Sequence, residues 1–201
     1  SNKTLESQKN YSHVIDKINI TGLSSSKNTQ LLNELNNIFY RNIFILDKKE
    51  VIKIMSKHNI IEEYNVKKIY PSELTIEVKP TKFIAKISGN NQLVVGSNGK
   101  LIQDDATKET LPYIFGKFSS QTFLKFKKII EYSNFNFIDF KSLSFYPSNR
   151  WDILTTSDIL IKLPENDLLK KLDLAYKIIK DKQFEGKKII DLRIKDQIII
   201  K

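Results

Sequence analysis

The sequence predicts an α+β chain of 201 residues in two parts. Residues 13–82 read as strand, helix, helix, strand, strand. Residues 83–201 read as a mostly antiparallel β domain with flanking helices, and residues 1–12 as a flexible polar lead-in. Three observations carry this reading. Leu74, Ile76 and Val78 alternate with Thr75, Glu77 and Lys79, the period of a half-buried strand. Leu31, Leu32, Leu35, Ile38 and Phe39 recur at helical spacing. Beyond Phe83 short apolar runs alternate with turn signals such as Asn98-Gly99.

Each element follows from local chemistry. His13 to Thr21 is an alternating strand with Val14, Ile18 and Ile20 apolar, ended by Gly22. Asn28 is placed to cap the first helix through its side-chain oxygen. Asn42 to Leu46 forms a short link, and Asp47 with Glu50 three residues on suggests a capping box for a second helix running to about His58. Val66 to Tyr70 is extended, because Pro71 fixes its own φ and keeps Tyr70 out of the helical region. Pro80 has no N–H to give and marks a strand end, edge or bulge.

In the second part Phe83 to Ile87 continues as strand. Leu93–Val95 and Lys100–Ile102 flank the Asn98-Gly99 turn, and Leu111 to Gly116 is a further extended run. Thr122 to Tyr132 is a helix with Phe123, Phe126, Ile129 and Ile130 on one side. Phe140, Leu143 and Phe145 lead to Arg150-Trp151-Asp152-Ile153, and Leu160 to Leu163 pairs back through Ser157-Asp158. Pro164 and Asn166 open a helix with a stripe of Leu168, Leu169, Leu172, Ala175, Tyr176 and Ile179. Lys188–Ile194 and Gln197–Lys201 are the closing strands.

Composition removes several classes of function. The net charge is +10, but Arg41, Arg150 and Arg193 are the only arginines among 33 basic residues. Arginine is the better fork for phosphate and base edges, and the lysines are dispersed, so a solvated basic surface is expected rather than a nucleic-acid site. There is no cysteine, hence no disulfide frame or thiolate metal site. His13 and His58 stand alone, Asp104-Asp105 reads as a solvated turn, and Asp152 reads as the partner of Arg150. No nucleophile, base and orienting group assemble. The chain is expected to be no enzyme and to use no cofactor or metal. It contains no run of 18 apolar residues, the length that spans a bilayer as a helix.

What remains is surface. Ile198, Ile199 and Ile200 make the last strand apolar on both faces. With a two-residue turn at Lys195-Asp196, Ile199 shares a face with Ile190 and Leu192, while Ile198 and Ile200 share the other with Asp191 and Arg193. A turn one residue longer reverses this. An exposed apolar edge needs a cover, and a partner strand is one. Filling of the chain's own sheet core is the other reading. The candidate contact residues are Arg193, Ile194, Gln197, Ile198, Ile199 and Ile200, with Arg193 facing an acidic partner residue.

Several of these pieces also resemble a known family. Val66, Lys68, Tyr70, Pro71, Leu74, Ile76, Val78 and Ala85, with Asn42-Ile43-Phe44 and Leu46-Asp47, resemble the POTRA domain of the bacterial cell-division proteins FtsQ/DivIB. Asn98-Gly99, Leu111-Pro112 with Gly116, Arg150-Trp151-Asp152 and Ile190-Asp191-Leu192-Arg193 resemble the β domain of that family. The resemblance implies a non-catalytic division scaffold of the inner membrane. A short cytoplasmic tail and one transmembrane helix would precede Lys3, with the fragment in the periplasm at the division septum. It implies FtsB, held with FtsL in a coiled coil, as the partner of the C-terminal strand. Upstream division proteins would meet the POTRA domain. The alternative is a POTRA-bearing translocation or secretion component.

Overall fold

Strand β1 (Lys17–Thr21) lies parallel to β3 (Glu73–Pro80), Ile18 opposite Leu74 and Ile20 opposite Ile76, and β2 (Ile61–Ile69) pairs antiparallel on the other side of β3. The computed structural model describes residues 13–104 and 110–201. The predicted lead-in and Asp105 therefore lie outside the described residues. The chain divides into two units, the first ending at Thr81 and the second running from Lys82 to Lys201.

In the first unit the order across the sheet is β1-β3-β2. Helices α1 (Ser25–Glu34) and α2 (Lys48–Met55) supply Leu31, Val51 and Met55 to a core that includes Ile18, Leu74, Ile76 and Val78. Period two in β3 and period 3.6 in the helices thus meet as one apolar layer. Gly22 turns the chain after β1 at φ +107, and a Cβ there would sit 1.6 Å from the Val78 carbonyl oxygen. Only glycine fits that approach.

Three local expectations change. The first strand is shorter, because Val14 bridges to Asn42 and Ile15 bonds to Arg41 and Tyr40 before β1 begins. Ser24, not Asn28, caps α1, and Asn28 Nδ2 donates to the Leu23 carbonyl. Asp47 does cap α2 by accepting from the Lys49 N–H, but no capping box closes, since Glu50 accepts both guanidinium bonds of Arg41.

Among the described residues the second unit carries one nine-stranded sheet. Its strands are β4 (Phe83–Ile87), β5 (Asn90–Gly96), β6 (Leu101–Gln103), β7 (Tyr113–Phe115), β8 (Phe140–Phe145), β9 (Trp151–Thr155), β10 (Leu160–Lys162), β11 (Ile189–Asp191) and β12 (Ile199–Ile200). They run in the order β12-β11-β10-β9-β8-β7-β4-β5-β6. Pairings are antiparallel except β10 with β11, β4 with β7 and β7 with β8. Helix α3 (Ser120–Tyr132), capped by Ser119, and helix α4 (Leu168–Lys180) contribute Phe123, Phe126, Ile130, Leu172, Ala175 and Ile178 to the core. Phe126 stacks on Trp151 of β9 at 4.5 Å with the rings 1° from parallel. Helix α4 starts at Leu168, after Asp167 at φ +58, rather than at Pro164. Its buried stripe accordingly takes in Ile178 and leaves Leu169 exposed.

Candidate partner-binding edge

The polypeptide reaches the end of this sheet through α4 and a short 3-10 turn, Lys182–Phe184. Strand β11 then slots beside β10 in parallel, Ile190 opposite Ile161, with the Leu192 N–H closing onto the Lys162 carbonyl at 2.9 Å. Ile190 and Leu192 are buried and pull the segment down on the core. A turn around Asp196 at φ +59 reverses the chain, and β12 pairs antiparallel to β11.

The register is Ile190 opposite Ile200 and Asp191 opposite Ile199. This corrects the two-residue-turn assignment: Ile200, not Ile199, shares the core face with Ile190 and packs against the core. The turn is longer than two residues, and the alternative register holds. Ile199 lies on the outer face beside Asp191. Ile189 and Lys201 exchange both main-chain bonds, each at 3.0 Å. Antiparallel ladders alternate bonded and non-bonded pairs, so the N–H and C=O of Ile200 point away from β11. Among the described residues no strand lies on that side. The apolar residues around it are open: Ile194 is 50% and Ile198 47% exposed. Gln197 is exposed on the turn, its N–H bonded to the Ile194 carbonyl at 3.3 Å.

Arg193 is already engaged. Its Nε and Nη2 bond the two carboxylate oxygens of Asp191 at 2.8 and 2.6 Å, and its main-chain N–H adds a third bond at 3.1 Å. Hydrogen bonds from Arg193 hold the Asp191 carboxyl below the ordinary aspartate value, and the Asp191 carboxylate raises the guanidinium in turn. Arg193 therefore presents a fixed, half-exposed guanidinium, not a loose cation.

Around it stand Lys162, which sequence reasoning did not single out, and Asp152 with Arg150, which it read as an ion pair. Lys162 stands between Asp152 and Asp191 in the register of β9, β10 and β11. Asp152 is only 5% exposed. Burial pushes its carboxyl above the ordinary value, opposed by Arg150, Arg193, Lys162 and a hydrogen bond from the Tyr146 hydroxyl. Arg150 lies over the Tyr146 ring at 4.4 Å, with its Nε 3.9 Å from Asp152 Oδ1, and neither of those two atoms has a hydrogen-bond partner among the described residues. Strand alternation already put Asp191 and Arg193 on one face. The approach of Lys162 required the parallel β10–β11 pairing.

Elsewhere, no group of three or more His, Cys, Asp or Glu among the described residues is arranged to hold a metal, and no described helix is long and apolar enough to cross a membrane.

Two helices on a three-stranded β1-β3-β2 sheet, followed by a larger mixed sheet, define a POTRA-bearing protein. Comparison with known proteins agrees. The family description "POTRA domain, FtsQ-type" matches residues 14–79, and "Cell division protein FtsQ/DivIB, C-terminal" matches residues 84–193. The cell division protein FtsQ of Bradyrhizobium diazoefficiens is 24% identical over 164 residues, which cover 79% of this chain and 48% of that protein. The chain thus spans about half the length of the curated relative it matches. It belongs to the FtsQ/DivIB family, and its role is in cell division. The β12 edge lies beyond residue 193, where the family match stops.

Proposed function

We propose that this chain is the extracytoplasmic part of a membrane-tethered division scaffold that recruits and regulates late division proteins at the septum. It works by holding proteins together, without turning over a substrate and without nucleic acid. Its chief contact is strand addition: an extended FtsB-type segment, presented with FtsL, pairs with β12. The partner's backbone supplies affinity and its alternate side chains supply specificity. The observation that carries this reading is the terminal position of β12, paired on one side only among the described residues, with Ile194 and Ile198 open beside it. Arg193, fixed by Asp191, supplies the electrostatic contact to an acidic partner residue. Upstream division proteins are assigned to the first unit, and the anchor is a single inner-membrane helix preceding Lys3.

The register selects the test. Proline at Ile199 would break the chain's own β11 pairing. Proline at Ile200 removes an outward N–H and keeps an apolar side chain. The Ile200→Pro protein, with an unchanged circular dichroism spectrum, is expected to lose at least tenfold in affinity for a soluble FtsB–FtsL fragment by calorimetry. Ile198→Glu is expected to weaken binding as well. Wild-type affinity in both variants would refute strand addition.

A further inference from the structure

A second exposed surface lies at one end of the first unit. Phe44 and Tyr70 stack there with ring centroids 4.8 Å apart, and His13 meets Phe44 edge-on at 5.0 Å. They are contacts between rings that remain open: Phe44 is 55%, Tyr70 56% and the adjoining Ile45 78% exposed. Adjacent large apolar groups on a surface mark an interaction site.

The topology says which end this is. Strands β1 and β3 are parallel and begin together, Lys17 opposite Glu73, and the Asp16 N–H bonds the Ser72 carbonyl at 3.1 Å. The Tyr70–Ser72 turn therefore sits beside the residues that lead into β1. The Ile43 N–H bonds the His13 carbonyl at 2.9 Å and brings Phe44 to the same place. The Lys68 ammonium stands on this rim, 3.4 Å from the Phe44 carbonyl, and that of Lys48 lies farther along β2. Lys68 Nζ donates to the Leu46 carbonyl and Lys48 Nζ to the Val66 carbonyl, both at 2.7 Å. The acceptors are neutral main-chain carbonyls.

We infer that this end of the first unit rests on a phospholipid bilayer. Phe44, Ile45 and Tyr70 enter the headgroup zone, and Lys68 faces lipid phosphates. The inference rests on the reading that a membrane anchor precedes Lys3: a chain arriving from the bilayer enters the first unit at this end. Rings with a polar tip, such as Tyr70, favour the bilayer interface, and lysines beside them are attracted to anionic lipid. The contact fixes how the first unit stands on the membrane.

The chain has no cysteine, so a single introduced one reports its surroundings cleanly. Ile45→Cys and, near the far end of β3, Lys79→Cys are labelled with an environment-sensitive fluorophore. Each protein is tethered by an N-terminal hexahistidine tag to vesicles of phosphatidylcholine and phosphatidylglycerol containing a nickel-chelating lipid. Spin-labelled lipid is expected to quench the reporter at 45 several-fold more than the one at 79. Phe44→Ser with Tyr70→Ser, which replace exposed groups, is expected to abolish the difference at an unchanged melting temperature. Equal quenching at both positions, or a difference that survives the double substitution, overturns the inference. Because the tether is supplied, this result is separate from the anchor itself. The anchor reading fails independently if carbonate washing strips the native protein from cell membranes.

Discussion

The two units expose strand edges of opposite character. In the first, the outer face of the sheet is laced by ion pairs: Lys17–Glu73, Lys67–Glu77 and Lys79–Glu63. The β2 edge is long and polar, the kind of edge that resists pairing with a stray strand. In the second, β12 is two isoleucines, with Ile194 and Ile198 exposed beside it. Its guards are brevity and the exposed Lys195 and Lys201 near its ends. The contrast sets a sheet face laced by ion pairs in one unit against exposed apolar side chains beside the last strand in the other.

The largest expected effect tests whether the β12 edge depends on the core beneath it. Phe126→Ala removes the ring stacked on Trp151 and leaves a cavity in a fully buried site. The expected loss is about 3–5 kcal/mol, read by denaturant unfolding with Trp151 fluorescence. Partner binding should fall with it, because Ile190, Leu192 and Ile200 pack on the same core. Hydrogen exchange at Ile18, Leu74 and Ile76 should change little, since these residues belong to the other core. A matching loss of protection there would break the division into two characters.

Much of this contrast was legible in the sequence. Leu74, Ile76 and Val78 alternate cleanly, so the face of β3 followed directly from period two. Asp47 and Ser157-Asp158 announced a cap and a turn through side-chain chemistry that competes locally with the backbone. The register of the last hairpin was not legible, because Ile198, Ile199 and Ile200 offer an apolar group on either face and nothing in the pattern prefers one. The cap of α1 was ambiguous for a similar reason: Ser24, Ser25, Ser26 and Asn28 are all competent. The seating of Arg193 on Asp191 could be placed on one face but not seen as a bond, and Lys162 between the two aspartates came only with the parallel pairing.

The next effect concerns two aspartates on the sheet that bears the available edge. Asp191 is held below the ordinary value by Arg193, so its ionised form stabilises the fold. That contribution is full above the unfolded aspartate value and disappears as pH falls through the lower folded value. Asp152 is the reverse. Burial raises it, so its ionised form destabilises the fold, fully above the raised value. The penalty is relieved as pH falls from there toward the unfolded value. Asp191→Asn is therefore expected to lower the melting temperature at pH 7, and Asp152→Asn to raise it. Both differences should shrink on acidification, that of Asp152→Asn at the higher pH. Changes of the same sign at pH 7 would mean that the two carboxylates act as one site.

The smallest effect sharpens the contrast from the charged side. Lys67 bonds both carboxylate oxygens of Glu77 at 2.7 and 2.9 Å, yet both side chains are about half exposed. Such pairs contribute little, so Lys67→Ala should cost under about 0.5 kcal/mol by denaturant unfolding. If the pair serves to keep the edge closed, its value lies in solubility rather than in folding. Lys67→Val with Glu77→Val suits the strand and keeps the core face intact, so the melting temperature should hardly move. Light scattering should nevertheless rise with concentration, as the unguarded β2 edge pairs with a second copy. A double variant that stays monomeric would assign the closure of β2 to its shape and not to its charges, and the two edges would then differ only in length.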